Sequence, residues 1–403
     1  MKLINLAPKG VGVDLNGEVC YFGGRPEVNA HAARVEADGG TVPDGYEVLL
    51  TELVNAVNFA QPSIKLLWAA SASKEAVDYS VLPADGSGDF TYSGGGNAVS
   101  QRPDGTWQIN WPANTPRNRY DNGVLGRLIE PQRQNLISYP RLFSNAAWTT
   151  AGELTGGQAG IFVDASGANT NEAFKFKALN ANEQLKRTTA FTTVAATTYT
   201  NSIYIKRVTG TGQVSIIDVN NTARAVTVTS DWTKVEYAAA ASGTSGQIGI
   251  QLATAGDEVM ICHAQPEAGT KSTSPIYGTE GSLLTRNADA ISKTGASALI
   301  GQTEGSIAFE FDAGSGFDLY VNSLSATGLT GSVKGCFVYT TTAIKLFVNG
   351  ALVDSETGTY DWSSMDNIEL GNYNGVSQLN GSVRELIKIK TAISDEAAIQ
   401  LTA

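Results

Sequence analysis

From residue 149 to residue 290 the apolar side chains fall on alternate positions, and few fall at helical spacing. Phe174-Lys175-Phe176-Lys177 and Ile203-Tyr204-Ile205-Lys206 alternate strictly, Ile248 and Ile250 share one side, and Val259 and Ile261 follow in the next apolar run. A period of two belongs to a strand with one wet face. The runs are short and separated by Gly, Thr, Ser and Asn, in a chain where 43 of 403 residues are glycine. Such spacing implies a two-sheet antiparallel sandwich. Alternation restarts at Ile307, Phe309 and Phe311, after a linker-like run from Ile291 to Gln302, ISKTGASALIGQ. Asn349-Gly350 then stands between the apolar runs Ile344–Val348 and Ala351–Val353, the strongest short hairpin signal. The expected fold is therefore mainly β, with tandem antiparallel β-sandwiches after a mixed N-terminal region. The expected divisions are residues 1–125, 126–290 and 291–403.

The first 30 residues show no period. From Asp44 to Ala60, Leu49, Leu50, Leu53, Val54 and Val57 keep helical spacing, and Asp44 can cap the start. This is the one helix the pattern predicts, packed on its own domain or paired with its own copies. Ile64 to Trp68 reads as a short strand. Trp107, Ile109 and Trp111 alternate with polar neighbours as a half-buried strand does. Between these regions and the long β remainder lies Gly126–Trp148, a polar run studded with Leu, Ile, Tyr139, Phe143 and Trp148. Pro131 removes a donor and fixes φ, so no helix or central strand passes through it. The run reads as an irregular strap across a domain surface.

Net charge is −11, against a nucleic-acid surface, which needs a basic excess. No window reaches the ~18 apolar residues of a membrane span, and MKLINLAPKG has no apolar core for a secretory signal. Cys20, Cys262 and Cys336 are odd in number and far apart, as buried free thiols made in a reducing cytoplasm would be. His31 and His263 have no Cys or carboxylate at metal spacing; His263, in the run Met260-Ile261-Cys262, reads as a satisfied core or rim histidine. No G-x-S-x-G elbow is present, and none of the 39 acidic residues falls in an informative pair for glycoside hydrolysis. Asp354, Glu356, Asp361 and Asp366 read as loop or surface charges. No cofactor is expected; structural calcium at loop carboxylates is the one metal weighed. For sugar recognition Trp148, Trp232 and Trp362 are candidates by type, and Trp362 is preferred together with Tyr360, in the loop-like Thr359–Ser363.

A family resemblance joins these pieces. Residues 128–148, LIEPQRQNLISYPRLFSNAAW, resemble the "L-x-E-P-Q-R-T-N-L … Y-S … F … W" signature of phage virion proteins, chiefly tail-fibre and other surface-fibre proteins. Glu130, Pro131, Gln132, Arg133, Asn135 and Trp148 carry it; Gln134 and Pro140 stand where Thr and Ser are usual. Further landmarks follow the family order. Ala33–Val42 and Asp89-Phe90-Thr91 precede the signature, as do Pro116-Arg117 and Tyr120, although the Arg usual after D-F-T is absent from Tyr92-Ser93-Gly94. After it come Ser202–Lys206, Asp231–Val235 with Trp232, Ala264–Gly269 with Gln265 and Glu267, Thr273-Ser274-Pro275 and Thr285–Asp289. The resemblance implies a jelly roll like a carbohydrate-binding module, with Trp148 and Trp232 packing its core. The last 100 residues or so resemble a laminin-G or concanavalin-like sandwich.

The family implies a non-enzymatic virion structural protein, made in the host cytoplasm and displayed as a tail or head fibre or related appendage. Its expected partners are its own copies (a trimer is the common state of resembling fibres), other virion proteins and a host-surface glycan. Residues 1–125 are expected to provide attachment. The alternatives are a glycan-degrading virion enzyme and an architectural capsid or tail component that binds only protein.

Overall fold

The computed structural model describes residues 11–13, 19–21, 62–67, 73–74, 77–78, 87–121, 123–312, 317–321, 323–370, 372–373 and 377–403. The helix expected over Asp44–Ala60 lies outside them. The architecture is mainly β, built from several antiparallel sheets in the manner of tandem sandwiches. The chain forms two compact units. The first gathers Met1–Gly94, Asn114–Pro131 and Asp289–Ala403; the second is Gly95–Ala113 with Gln132–Ala288. Along the sequence the arrangement is nested, one unit interrupting the other.

The second unit contains two five-stranded sheets. One runs Trp148–Thr150, Glu183–Arg187, Gly249–Leu252, Val214–Ile217, Ala223–Val226. The other runs Glu153–Gln158, Ala173–Lys177, Glu258–Ala268, Thr198–Thr209, Thr233–Ala240. Every pairing within both is antiparallel. The alternation read from the sequence decides which face is dry. Phe174, Phe176, Ile203, Ile205, Val259 and Ile261 form one core with Leu185, Val214, Ile216, Ile250 and Leu252. Their neighbours Lys175, Lys177, Tyr204, Lys206 and Met260 are turned to the opposite face. Trp148 is buried in this core, its ring 4.7 Å from Phe143 and its Nε1 donating to the Tyr139 carbonyl at 2.8 Å. Trp232 departs from expectation: it lies half-exposed beside the turn before Thr233–Ala240 and takes no part in the core.

In the first unit an eight-stranded sheet is centred on Gly381–Ile389. One side of that strand pairs with Gly305–Asp312, which continues to Ser332–Tyr339, Ala343–Val348 and the edge strand Ala351–Thr357. On its other side two N-terminal strands share its length: Pro62–Leu67 against 385–389, and Val124–Ile129 against 381–383. The expected strand at Ile64 thus exists, but as part of the C-terminal sandwich. Phe90, Tyr92 and Ile129 belong to the same core as Phe311, Phe337, Tyr339, Leu346 and Leu386. Asn349 and Gly350, with φ of 47° and 80°, make the predicted two-residue hairpin turn.

Two expectations are corrected here. The run after Ile291 is no linker: its strand continues to Lys293 and pairs with Ile368–Leu370, and Ile291, Ala296 and Ile300 are buried. Small residues there permit close packing instead of freedom. The pattern also missed a helix at Asp395–Thr402, capped by Ser394 Oγ accepting from Ala397 N, with Asp395 and Glu396 in its first turn. Cys262 and Cys336 are buried free thiols; the Cys20 side chain lies outside the described residues.

Candidate functional site

The landmark residues divide into two buried locks. In the first unit Arg117 is fully buried between two carboxylates. Its Nη2 pairs with Glu130 Oε2 at 2.8 Å and with Asp289 Oδ2, and its Nε reaches Asp289 Oδ1 at 3.3 Å. Asp289 also accepts from the Tyr92 hydroxyl and from the Glu130 amide, the latter at 2.9 Å. Burial works against the Arg117 charge, but Asp289 and Glu130 outweigh it and hold its pKa well above the ordinary value. Burial and then Asp289 push the Tyr92 phenol up. Tyr92 occupies the stretch where the family's Arg is missing, and it closes the quartet.

In the second unit the lock lies on the outer face of the Glu258–Ala268 strand. His263, Gln265 and Glu267 alternate there, all buried. Gln265 Nε2 donates to Glu267 Oε2 at 2.9 Å and to the Ser274 carbonyl at 3.1 Å, while its Oε1 accepts from Ile276 N and His263 Nε2. Thr273 donates from its amide and hydroxyl to Glu267, at 2.8 and 2.6 Å. Buried Arg286 reaches Thr273 Oγ1 and Ser274 Oγ, and Asn135 Nδ2 holds the Ala264 carbonyl at 3.1 Å. Segment 272–276 is therefore a roof sealed over half of a polar sheet face. Gln132 is exposed and Arg133, half-buried, starts the short strand Arg133–Asn135 after Pro131, paired with Leu284–Arg286. The signature residues build structure; none presents a reacting group to solvent.

Burial drives His263 down to about 3, against the pull of its Gln265 hydrogen bond. Its folded pKa thus lies below its unfolded value of roughly 6.5, and the unfolded chain binds the extra proton between the two. The stability of this unit should fall as pH drops from about 6.5 toward 3, by at most about 1.4 kcal/mol per pH unit from this group. Glu267, raised by burial, acts in the opposite sense above its ordinary range. Urea midpoints of the wild type and His263→Phe, measured across this window, check it; an unchanged acid slope in the variant would refute the assignment.

The unroofed half of the same face has different chemistry. Register places Lys175 opposite Met260 and Met260 opposite Lys206. The Lys206 ammonium lies over the Trp232 ring, 5.3 Å from its centroid, which extends the row by one aromatic. Tyr204 stands two residues from Lys206 on the same strand face, opposite Lys234. Lys177 and Glu258 form the next row. All these residues are half-buried. An indole, a phenol, a thioether and flexible cations on one rigid face can hold a flat, polar-rimmed ligand. In the sequence Trp232 is a candidate by residue type, but its landmark position favours the core, and the alternating lysines read as ordinary strand exterior.

Trp362 and Tyr360, the sequence candidates, lie in the first unit. Their rings stack at 5.6 Å, and the Trp362 ring also meets Tyr339 at 4.9 Å and Phe337 at 6.3 Å. Trp362 Nε1 donates to the Thr340 carbonyl at 2.8 Å. The pair is half-buried and covers the core of that unit. Among the described residues no group of three or more His, Cys, Asp or Glu is arranged to hold a metal.

No family model matches the chain. No curated protein matches it either. Solved structures give loose overlaps. The CBM22-1 xylan-binding domain from Paenibacillus barcinonensis is 13% identical, covers 36% of this chain and 97% of its own, and has a TM-score of 0.23. Domain 4 of AbnA, a GH43 extracellular arabinanase from Geobacillus stearothermophilus, is 11% identical, with 86% and 100% covered and a TM-score of 0.27. A CBM4 structure is 12% identical, with 34% and 97% covered and a TM-score of 0.25. Such overlaps align no side chain with another, so the site rests on the geometry of this chain alone.

Proposed function

We propose that the protein is a non-enzymatic bacteriophage virion protein, a tail or head fibre or related appendage, that adheres to host-surface glycan. The observation that carries the reading is the open half-face of the second unit, where Tyr204, Met260, Lys206 and Trp232 lie in adjoining rows beside a sealed polar roof. The ordered landmarks around Glu130-Pro131-Gln132-Arg133 support the virion origin. A shallow face of this kind binds one sugar segment weakly. Several copies, in a homo-oligomer such as a trimer and again around a particle, convert weak contacts into avidity. Residues 1–125 are the proposed attachment region.

The test separates platform from core. On a glycan panel, Trp232→Ala should lower the affinity for any bound sugar at least tenfold, the range of a truncated aromatic anchor, with an unchanged unfolding midpoint. Trp362→Ala should do the reverse, costing about 2–3 kcal/mol of stability, somewhat below the range for a fully buried ring, while binding persists. Sugar binding lost with Trp362 and kept without Trp232 would move the site to the other unit. Release of reducing ends from a bound polysaccharide would replace adhesion with catalysis; wild-type protein that binds no glycan while still assembling into particles would favour an architectural role.

A further inference from the structure

We infer that the open half-face selects an acidic glycan, a polysaccharide bearing hexuronate carboxylates, and that Lys206 is the residue that selects it; the inference rests on the adhesive reading above. The argument begins with which cations on the sheet are already paired. Lys175 meets Glu258 at 3.0 Å, Lys177 meets Glu153 at 3.6 Å and Arg207 meets Asp257 at 3.3 Å. Lys234 lies 3.8 Å from Glu236 and donates to the Thr273 carbonyl. Lys206 alone of this group has no carboxylate within 4 Å among the described residues, and its ammonium rests over Trp232. An aromatic face holds a cation in place without using up its N–H donors. The ammonium therefore stands positioned beside the indole with donors to give.

A neutral sugar has no need of such a group. A hydroxyl can accept from the ammonium, but it offers no opposite charge to offset the desolvation of a cation that has no carboxylate partner. A uronate fits both parts: its apolar ring face packs on Trp232 and Met260, and its carboxylate takes a charge-assisted hydrogen bond from Lys206. The net charge of −11 does not forbid a polyanion. At physiological salt the Debye length is about 8 Å, so remote carboxylates are screened and the cation in contact decides the outcome. Glu258 already faces Lys175, which leaves Lys206 as the determinant.

Isothermal titration of the full-length protein with glucuronate and galacturonate oligosaccharides, and with the carboxyl-reduced neutral counterpart of each, tests this. At least one acidic oligosaccharide should bind the wild type at least tenfold more tightly than its neutral counterpart, and the preference should weaken with added salt. Lys206→Met should lower affinity for the acid about tenfold and bring acid and neutral forms level. Trp232→Ala should weaken both. Equal wild-type affinity for acid and neutral forms, or an acid preference that survives Lys206→Met, overturns the inference and leaves the adhesive reading standing. Absence of binding to every acidic and neutral member overturns both.

Discussion

Replacing Arg117 by methionine should destabilise the first unit by about 3–5 kcal/mol, the usual cost of breaking a buried ion pair from one side. The substitution takes the guanidinium away from the Glu130 and Asp289 carboxylates, in a place where Arg117 is 0% exposed and Asp289 is 0% exposed. The geometry makes the loss worse than that of a simple pair. Asp289 also anchors the Tyr92 hydroxyl and the Glu130 amide, so one removed guanidinium disturbs a four-residue network. Removing all the charge should behave differently. Arg117→Met combined with Glu130→Gln and Asp289→Asn eliminates the stranded carboxylates and should recover a measurable part of the loss. Guanidinium melts of the single and triple variants decide it. A single variant within 1 kcal/mol of wild type would mean that the quartet contributes little to holding this unit together.

The second large effect concerns fragments. A polypeptide of residues 95–288 should fold and unfold cooperatively, because it contains both five-stranded sheets and the whole of their shared core. A polypeptide of residues 289–403 should not. It lacks Phe90, Tyr92 and Ile129 from its core and both strands that cover one side of Gly381–Ile389. Its central strand would become an exposed edge of sequence GSVRELIKI, a template for aggregation. Circular dichroism and size exclusion of both fragments give the answer. A sharp, reversible melt of 289–403 by itself would show that the N-terminal strands merely decorate a self-sufficient sandwich.

The contrast between these fragments explains what was legible in the sequence. Strand periodicity is local, and it located the runs at Phe174, Ile203, Val259 and Ile307 together with the Asn349-Gly350 turn. Register and partner choice are not local. Nothing in Pro62–Leu67 or Val124–Ile129 announces that each pairs with a strand more than 250 residues away. A Gly-Ala-Ser run looks the same whether it is a linker or, as at Ala296, a tightly packed crossing. The landmark residues were legible as a set but not in their roles, since Arg117, Glu130 and Asp289 meet only in space. The site was the least legible part. Trp148 opens a strand with its ring in the core, whereas Trp232 stands just before one and outside the core, and composition does not record that difference.

The nested arrangement also sets an order of events during synthesis. On a ribosome, residues 62–67 and 124–129 emerge early, but the strand they pair with, Gly381–Ile389, is made more than 250 residues later. At roughly 5–20 residues per second both segments wait on the order of ten seconds or more for that partner, Val124–Ile129 with only its Arg117–Asp121 edge paired. The unit formed by Gly95–Ala113 and Gln132–Ala288 can close within that interval, because all its strands are already outside the exit tunnel. It then holds the ends of its own insertion at Ala113–Asn114 and at Ala288–Asp289, so the late-arriving strand is tethered to a finished body when it reaches its partners. Nascent chains stalled after residue 300 should therefore yield a protease-resistant core from the interrupting unit alone, with residues 62–67 still open to cleavage.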